Sequence, residues 1–232
     1  MADFAVSSGM LSSKPTVIPN GVDVDQFVPI ERSDVRKKYG IPADRQIVLL
    51  TAGHIKDPRK GVQLALDAMR TFEGGSRPYL LVVGVIDDNA RGMLQGFDFF
   101  EAGYISDSRK LAEIYAASDI LLFCSLAENM PLTILESMAC GVPFVGFGVG
   151  GITEMVVQNE TGITVPALDI SALVEALKRG LAAGVAAEWG RAARQRAEQV
   201  YSHRQFLAAH TELYENLIDA HIRKQTVGSE HA

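Results

Sequence analysis

The sequence predicts an α/β domain: a Rossmann-like, doubly wound parallel sheet followed by a helical C-terminal tail. Three observations carry that expectation. Short apolar runs alternate with helical patterns along most of the chain. Several of those runs are apolar almost throughout, as strands buried on both faces are. From Ile170 onward the strand-like runs cease. Alternation of this kind implies right-handed βαβ crossovers.

In chain order, TVI (16–18), IVLLTA (47–52), YLLVVGV (79–85), FDFFEAGY (97–104), DILLFCS (119–125), PFVGF (143–147) and GITVP (162–166) read as strands. Between them, Ser33 is placed to cap a helix through Tyr39 that Gly40 and Pro42 stop. Residues 61–72 bring Val62, Leu66, Met69 and Phe72 near helical spacing. Residues 107–118, with Ser106 as cap, set Leu111, Ile114 and Tyr115 on one face. Pro131 suits a first helical position, so a helix is expected over 131–140 with Gly141 as its stop. Three more helices follow near 171–183, 186–200 and 203–223. Gly74-Gly75 and Arg77-Pro78 read as a helix exit and a turn. The expected organisation is a flexible lead or interdomain remnant over 1–16, one domain over 17–223 that includes the tail 171–223, and a disordered end over 224–232.

The 232 residues are 47% hydrophobic and 22% charged, enough to bury a sizeable core without staples. A net charge of −6 with scattered Lys and Arg argues against nucleic acid as partner. Cys124 and Cys140, the two cysteines, lack metal-ligand spacing and read as small core residues. A reduced, cytoplasmic setting is expected. No uncharged apolar stretch reaches the roughly 18–20 residues of a membrane helix, and the start lacks a signal-peptide pattern.

Two motifs mislead. GFGVGG (146–151) matches the dinucleotide fingerprint at Gly146, Gly148 and Gly151, but that fingerprint belongs to a first βα turn and this one follows a late strand. A glycine-rich loop at a strand end is the plainer reading. Asp23 and Asp25 imitate a cation-binding Asp-x-Asp with no His or Glu cluster beside them, and a polar turn accounts for them. Glu154 either faces the crevice or caps the first turn of its own helix.

In an open α/β sheet the ligand crevice lies beyond the carboxyl ends of the strands. Four segments fall there: Gly53 to Gly61, carrying His54, Lys56, Arg59 and Lys60; Ile105-Ser106; Glu128 with the helix behind it; and the glycine-rich turn after Phe147. Cations, helix-start amides and glycines suit a diphosphate. Residues 128–141, ENMPLTILESMACG, set two glutamates either side of seven uncharged residues. Glu136 lies among Leu132, Ile134, Leu135, Met138 and Ala139, where an unpaired carboxylate would cost several kcal/mol or shift its pKa. Because an ionised carboxylate only accepts hydrogen bonds, hydroxyl groups would suit it. The amides of Leu132 and Thr133 would face an anion, and Glu136 follows about 7.5 Å along the axis. Glu128, ahead of the helix, falls on the phosphate side, where a sugar would hang. Read plainly, the same residues are a helix-surface glutamate, a loop carboxylate favoured by the helix dipole and a solvated lysine at 60.

Five motifs then occur in order: N20-G-V-D-x-x-x-F-x-P29, Lys60-Gly61, G103-Y-I-S with L111-A-E-I-Y-A-A-S-D, E128-N-M-P-L-T-I-L-E136-S-M-A-C-G-V-P, and G150-G-I-T-E154. Together they resemble the C-terminal half of a family 4 retaining glycosyltransferase of the two-Rossmann-domain (GT-B) fold, over about residues 17–220. The resemblance implies that Glu136 receives the ribose hydroxyls of a nucleoside-diphosphate sugar, UDP- or GDP-linked. Glu128 would contact the donor sugar at the catalytic centre. The Asn129, Met130, Pro131, Leu132 and Thr133 segment would hold sugar and diphosphate through backbone amides. Lys60 would neutralise the leaving diphosphate, and Ile105 would flank the base. It implies no metal or other cofactor. Two departures stand out. The family's Gly-Arg is Gly53-His54 in a loop one residue longer, so Arg59 or Lys56 would supply the second charge. The acceptor-binding N-terminal domain has no counterpart, and with it would go the acceptor and any membrane contact of the full enzyme. A non-catalytic sugar-nucleotide or partner-binding module, and a related enzyme such as a sugar-nucleotide epimerase, share the same residues.

Overall fold

The computed structural model describes residues 2–72 and 77–229, with side chains to residue 223. The expected turn at Gly74-Gly75 lies outside the described residues. The elements are α1 (Ala2–Ser7), α2 (Arg32–Tyr39), β1 (Ile47–His54), α3 (Val62–Arg70), β2 (Tyr79–Val85), α4 (Asp88–Met93), β3 (Phe99–Gly103), α5 (Ser108–Ala116), β4 (Ile120–Phe123), α6 (Leu132–Ala139), β5 (Phe144–Phe147), α7 (Ile152–Met155), β6 (Gly162–Val165), α8 (Ile170–Gly180), α9 (Val185–Val200) and α10 (His203–Ser229). A 3₁₀ turn, Pro58–Lys60, precedes α3.

The sheet has six strands in the order β3-β2-β1-β4-β5-β6, and every pairing is parallel. Alternation along each strand sends side chains to opposite faces. Leu49 and Leu121 join Ile134, Leu135 and Met138 on one side. Val48, Leu50 and Ile120 join Leu66, Met69, Leu173 and Leu177 on the other. The strands β1, β2, β4 and β5 are thereby covered on both faces, which is why those runs are apolar without alternation.

Several expectations are corrected. TVI (16–18) forms no strand: it lies between Pro15 and Pro19, and Val17 is exposed. The chain pairs later, through a parallel bridge between Val22 and Ser202 that ties the start of the domain to the tail. Glu31, not Ser33, stands at the N-cap of α2 and accepts the Ser33 amide. Asp107, not Ser106, caps α5 through the Arg109 amide at 2.9 Å. In both cases the nearer carboxylate takes the orphan amide of the first turn. Pro131 is the N-cap of α6 rather than its first residue. The lead includes helix α1 with no buried residue. α4, which sequence periodicity did not reveal, is capped by Asp87. The three helices after the sheet are present, and the last continues to Ser229.

Candidate functional site

The strand order reverses direction between β1 and β4, and open α/β sheets take ligands in the crevice outside the carboxyl ends at such a switch point. β1 delivers Gly53 and His54 there, both exposed. The following loop is stitched to the one after β4: the Leu126 amide and the Ser125 hydroxyl both donate to the Arg59 carbonyl, at 2.8 and 3.1 Å. The stitch requires glycine at 61, whose φ is +62 and whose Cβ would stand 1.9 Å from the Cys124 carbonyl oxygen. It delivers Lys60 to Glu128, with Nζ 2.7 Å from Oε1. Glu128 is 13% exposed in this pair.

The residues after Glu128 are held from two sides. The Asn20 side-chain amide donates to the Met130 carbonyl at 2.9 Å. Opposite, a Cβ on Gly150 would stand 1.8 Å from the Glu128 carbonyl oxygen, and one on Gly151 would stand 2.2 Å from that of Asn129. Gly146 likewise abuts the Phe123 carbonyl inside the sheet. The apparent dinucleotide fingerprint thus serves close packing of backbone on backbone. Asn20, Asn129, Met130, Gly151 and Glu154 line a cavity of about 260 Å³ at this edge. No side chain caps α6, so its first-turn amides, Leu132 and Thr133 among them, have no intrahelical acceptor.

The other cations are engaged locally. Lys56 pairs with Asp87 at 2.8 Å, at the N-cap of α4. Arg59 pairs with Asp57 at 2.8 Å, and the Arg59 side-chain and backbone hydrogen bonds hold the Asp57 carboxyl below its usual range. Ile105 is half-buried against the core on the α5 and α6 side. Asp23 and Asp25 form a polar turn, in which Asp23 accepts the amides of Asp25 and Gln26 at 3.0 Å.

Glu136 occupies a separate hollow, lined by Gly21, Gln26, Phe27, Ser108 and Leu132. Its partner is the Tyr115 hydroxyl, which donates to Glu136 Oε2 at 2.9 Å. Burial pushes the Glu136 carboxyl above its usual range, and the Tyr115 hydrogen bond acts in the opposite direction. The buried phenol is itself pushed well up, by burial first and by the Glu136 charge second. The sequence showed Tyr115 only as one of three large residues on a helix face. The signal that distinguishes it is a hydroxyl on that face, which burial obliges to find a partner.

The six-stranded parallel sheet with helices on both faces is Rossmann-like and matches the C-terminal domains of GT-B proteins. The chain belongs to the glycosyl transferases group 1 family, whose model matches residues 46–183. It is 31% identical over 221 residues to a D-inositol 3-phosphate glycosyltransferase of Saccharomonospora viridis, covering 88% of this chain and 50% of that one. To the protein of that name from Mycobacteroides abscessus it is 30% identical over 160 residues, covering 65% of this chain and 35% of the relative. The chain thus spans half or less of the length of these relatives. Among solved structures, sucrose-phosphate synthase from Thermosynechococcus elongatus superposes with a TM-score of 0.80 at 29% identity, covering 94% of this chain and 56% of that one. HepE from Anabaena, solved in complex with UDP-glucose, shares the fold with a TM-score of 0.73 at 19% identity, covering 92% of this chain and 60% of its own.

Proposed function

We propose that the chain is the donor-binding half of a retaining glycosyltransferase that takes a nucleoside-diphosphate sugar, UDP- or GDP-linked, and needs no metal. The observation that carries the reading is the Lys60–Glu128 pair beside the uncapped start of α6 at the switch point. A diphosphate set there would meet the Lys60 ammonium and the amides at Leu132 and Thr133. Fixed cations and amides stabilise the charge that develops on a departing diphosphate without reorganising. Glu128, at the same point, would accept hydroxyls of the sugar, with Asn129, Met130 and Pro131 forming the floor beneath it. Glu136 would accept the ribose hydroxyls, Ile105 would flank the base, and Gly53 leaves room beside the phosphates.

UDP-glucose in HepE supports a nucleoside-diphosphate donor. The two free, buried cysteines fit a cytoplasmic setting. No described helix is long and apolar enough to cross a membrane. The acceptor, any membrane contact and half of the catalytic cleft would belong to the region that the relatives have and this chain does not span. Arg59 or Lys56 would supply the second phosphate charge once released from Asp57 or Asp87, with His54 exposed beside them. Calorimetric titration with UDP, GDP and ADP tests the reading. Binding of UDP or GDP that Glu136→Ala abolishes is expected; no binding of any of the three, or equal binding by the variant, overturns it.

A further inference from the structure

We propose that Tyr115 is a positioning residue that fixes the Glu136 carboxylate for the nucleotide's ribose, and so sets the preference for ribose over deoxyribose. The inference rests on the assignment of Glu136 to the ribose made above. Its own ground is the geometry. Tyr115 is 2% exposed, and Phe27 meets its ring edge-on with centroids 6.2 Å apart. The ring therefore has no freedom to follow a moving partner. Its hydroxyl reaches out of the core to Glu136 Oε2 at 2.9 Å. One carboxylate oxygen is thus held from behind by a rigid donor, while the side chain borders the hollow beside Ser108 and Leu132.

A glutamate on a helix has three rotatable bonds. Anchoring one oxygen removes that freedom before the ligand arrives, which is how preorganisation adds to affinity. The same bond favours the ionised form, the acceptor that two ribose hydroxyls require. The charged and titratable groups around Glu136 are few. Tyr115 comes from α5, Asp23 from the 21–27 segment, His203 from the start of α10 and Cys140 from the C-cap of α6. Arg194 of α9 is engaged by the carbonyls of Val24, Phe27 and Ala139. The Tyr115 hydroxyl is the group that bonds Glu136 directly.

The test is Tyr115→Phe in the full chain, titrated with UDP, GDP and their 2′-deoxy counterparts across pH. If the wild type binds none of them, the ribose assignment fails and the inference with it. If it binds, Tyr115→Phe is expected to weaken the ribonucleotide about tenfold, to bring it level with the deoxynucleotide, and to move the acid limb of binding to higher pH. In a Glu136→Ala background the same change should do nothing further. A variant that folds and keeps the wild-type preference and pH limb overturns the proposal. Should the variant not fold, NMR of the wild type decides: the Glu136 carboxyl and Tyr115 ring signals must respond together to UDP and less to deoxy-UDP, and no response of Tyr115 counts against it.

Discussion

Lys60 and Glu128 satisfy each other at 2.7 Å, so a diphosphate bound as proposed would have to take the lysine from a carboxylate. Lys60→Met is therefore expected to weaken UDP or GDP binding tenfold or more, since it also leaves a largely buried carboxylate unpaired; titration calorimetry reads it. Glu136 carries a cost of a different kind. Its folded pKa is raised by burial, so the folded state favours the protonated form. Stability contributed by that group is present at low pH and is lost as pH rises through the folded pKa. Glu136→Gln keeps an acceptor for Tyr115 and removes the titration. It should melt above the wild type at pH 7, with the gap closing toward pH 4 and nucleotide binding reduced. A variant equal to wild type at both pH values would mean that the carboxylate carries no such cost.

The site is built at the scale of elements from two loops drawn together by glycines. Gly61 lets the turn before α3 touch the end of β4, and Gly150 lets the turn after β5 touch Glu128. Gly150 has φ +54 with the Glu128 carbonyl 1.8 Å from where a Cβ would stand. The left-handed backbone costs an alanine roughly 1–2 kcal/mol, and the clash adds about 1–3 kcal/mol. Gly150→Ala is expected to destabilise by about 3 kcal/mol in urea unfolding and to displace Glu128, weakening binding of the sugar nucleotide more than of the free diphosphate. Gly92→Ala in α4, where nothing stands within 4 Å of the added carbon, serves as the contrast: neutral, or stabilising by up to about 1 kcal/mol.

Across the whole molecule, the domain closes on itself through the tail. The Val22 amide donates to the Tyr201 carbonyl at 2.7 Å and the His203 amide to the Val22 carbonyl at 3.0 Å. Arg194 of α9 gathers carbonyls from the first loop and from α6. Beyond that closure α10 keeps Leu207, Tyr214, Leu217 and Ile218 exposed. The chain spans 50% of its Saccharomonospora relative. Transfer needs an acceptor held against the donor sugar, so the chain by itself is expected to bind a UDP- or GDP-sugar and not turn it over. A nucleoside-diphosphate release assay on the chain alone checks this, and multiple turnover would overturn the division of labour.

The sequence by itself determined the sheet and the helical tail, because a strand covered on both faces must be apolar throughout and a surface helix must keep its period. It also determined the order of the motifs, and with it the family. It marked Glu128, Glu136 and Lys60 as the residues to watch, since a charge among apolar neighbours or at a helix start is legible without coordinates. It did not determine which groups meet. Ser106 and Asp107 are equally plausible caps in a string of letters, and TVI reads as a strand until the prolines beside it leave it without a ladder. Lys56, Arg59 and Lys60 are three cations in one loop, and only the turn at Gly61 decided that Lys60 faces Glu128 while the others bond Asp87 and Asp57. The partner of Glu136 lies 21 residues away on another helix. That contact follows from the packing of α5 on α6, which local pattern does not encode.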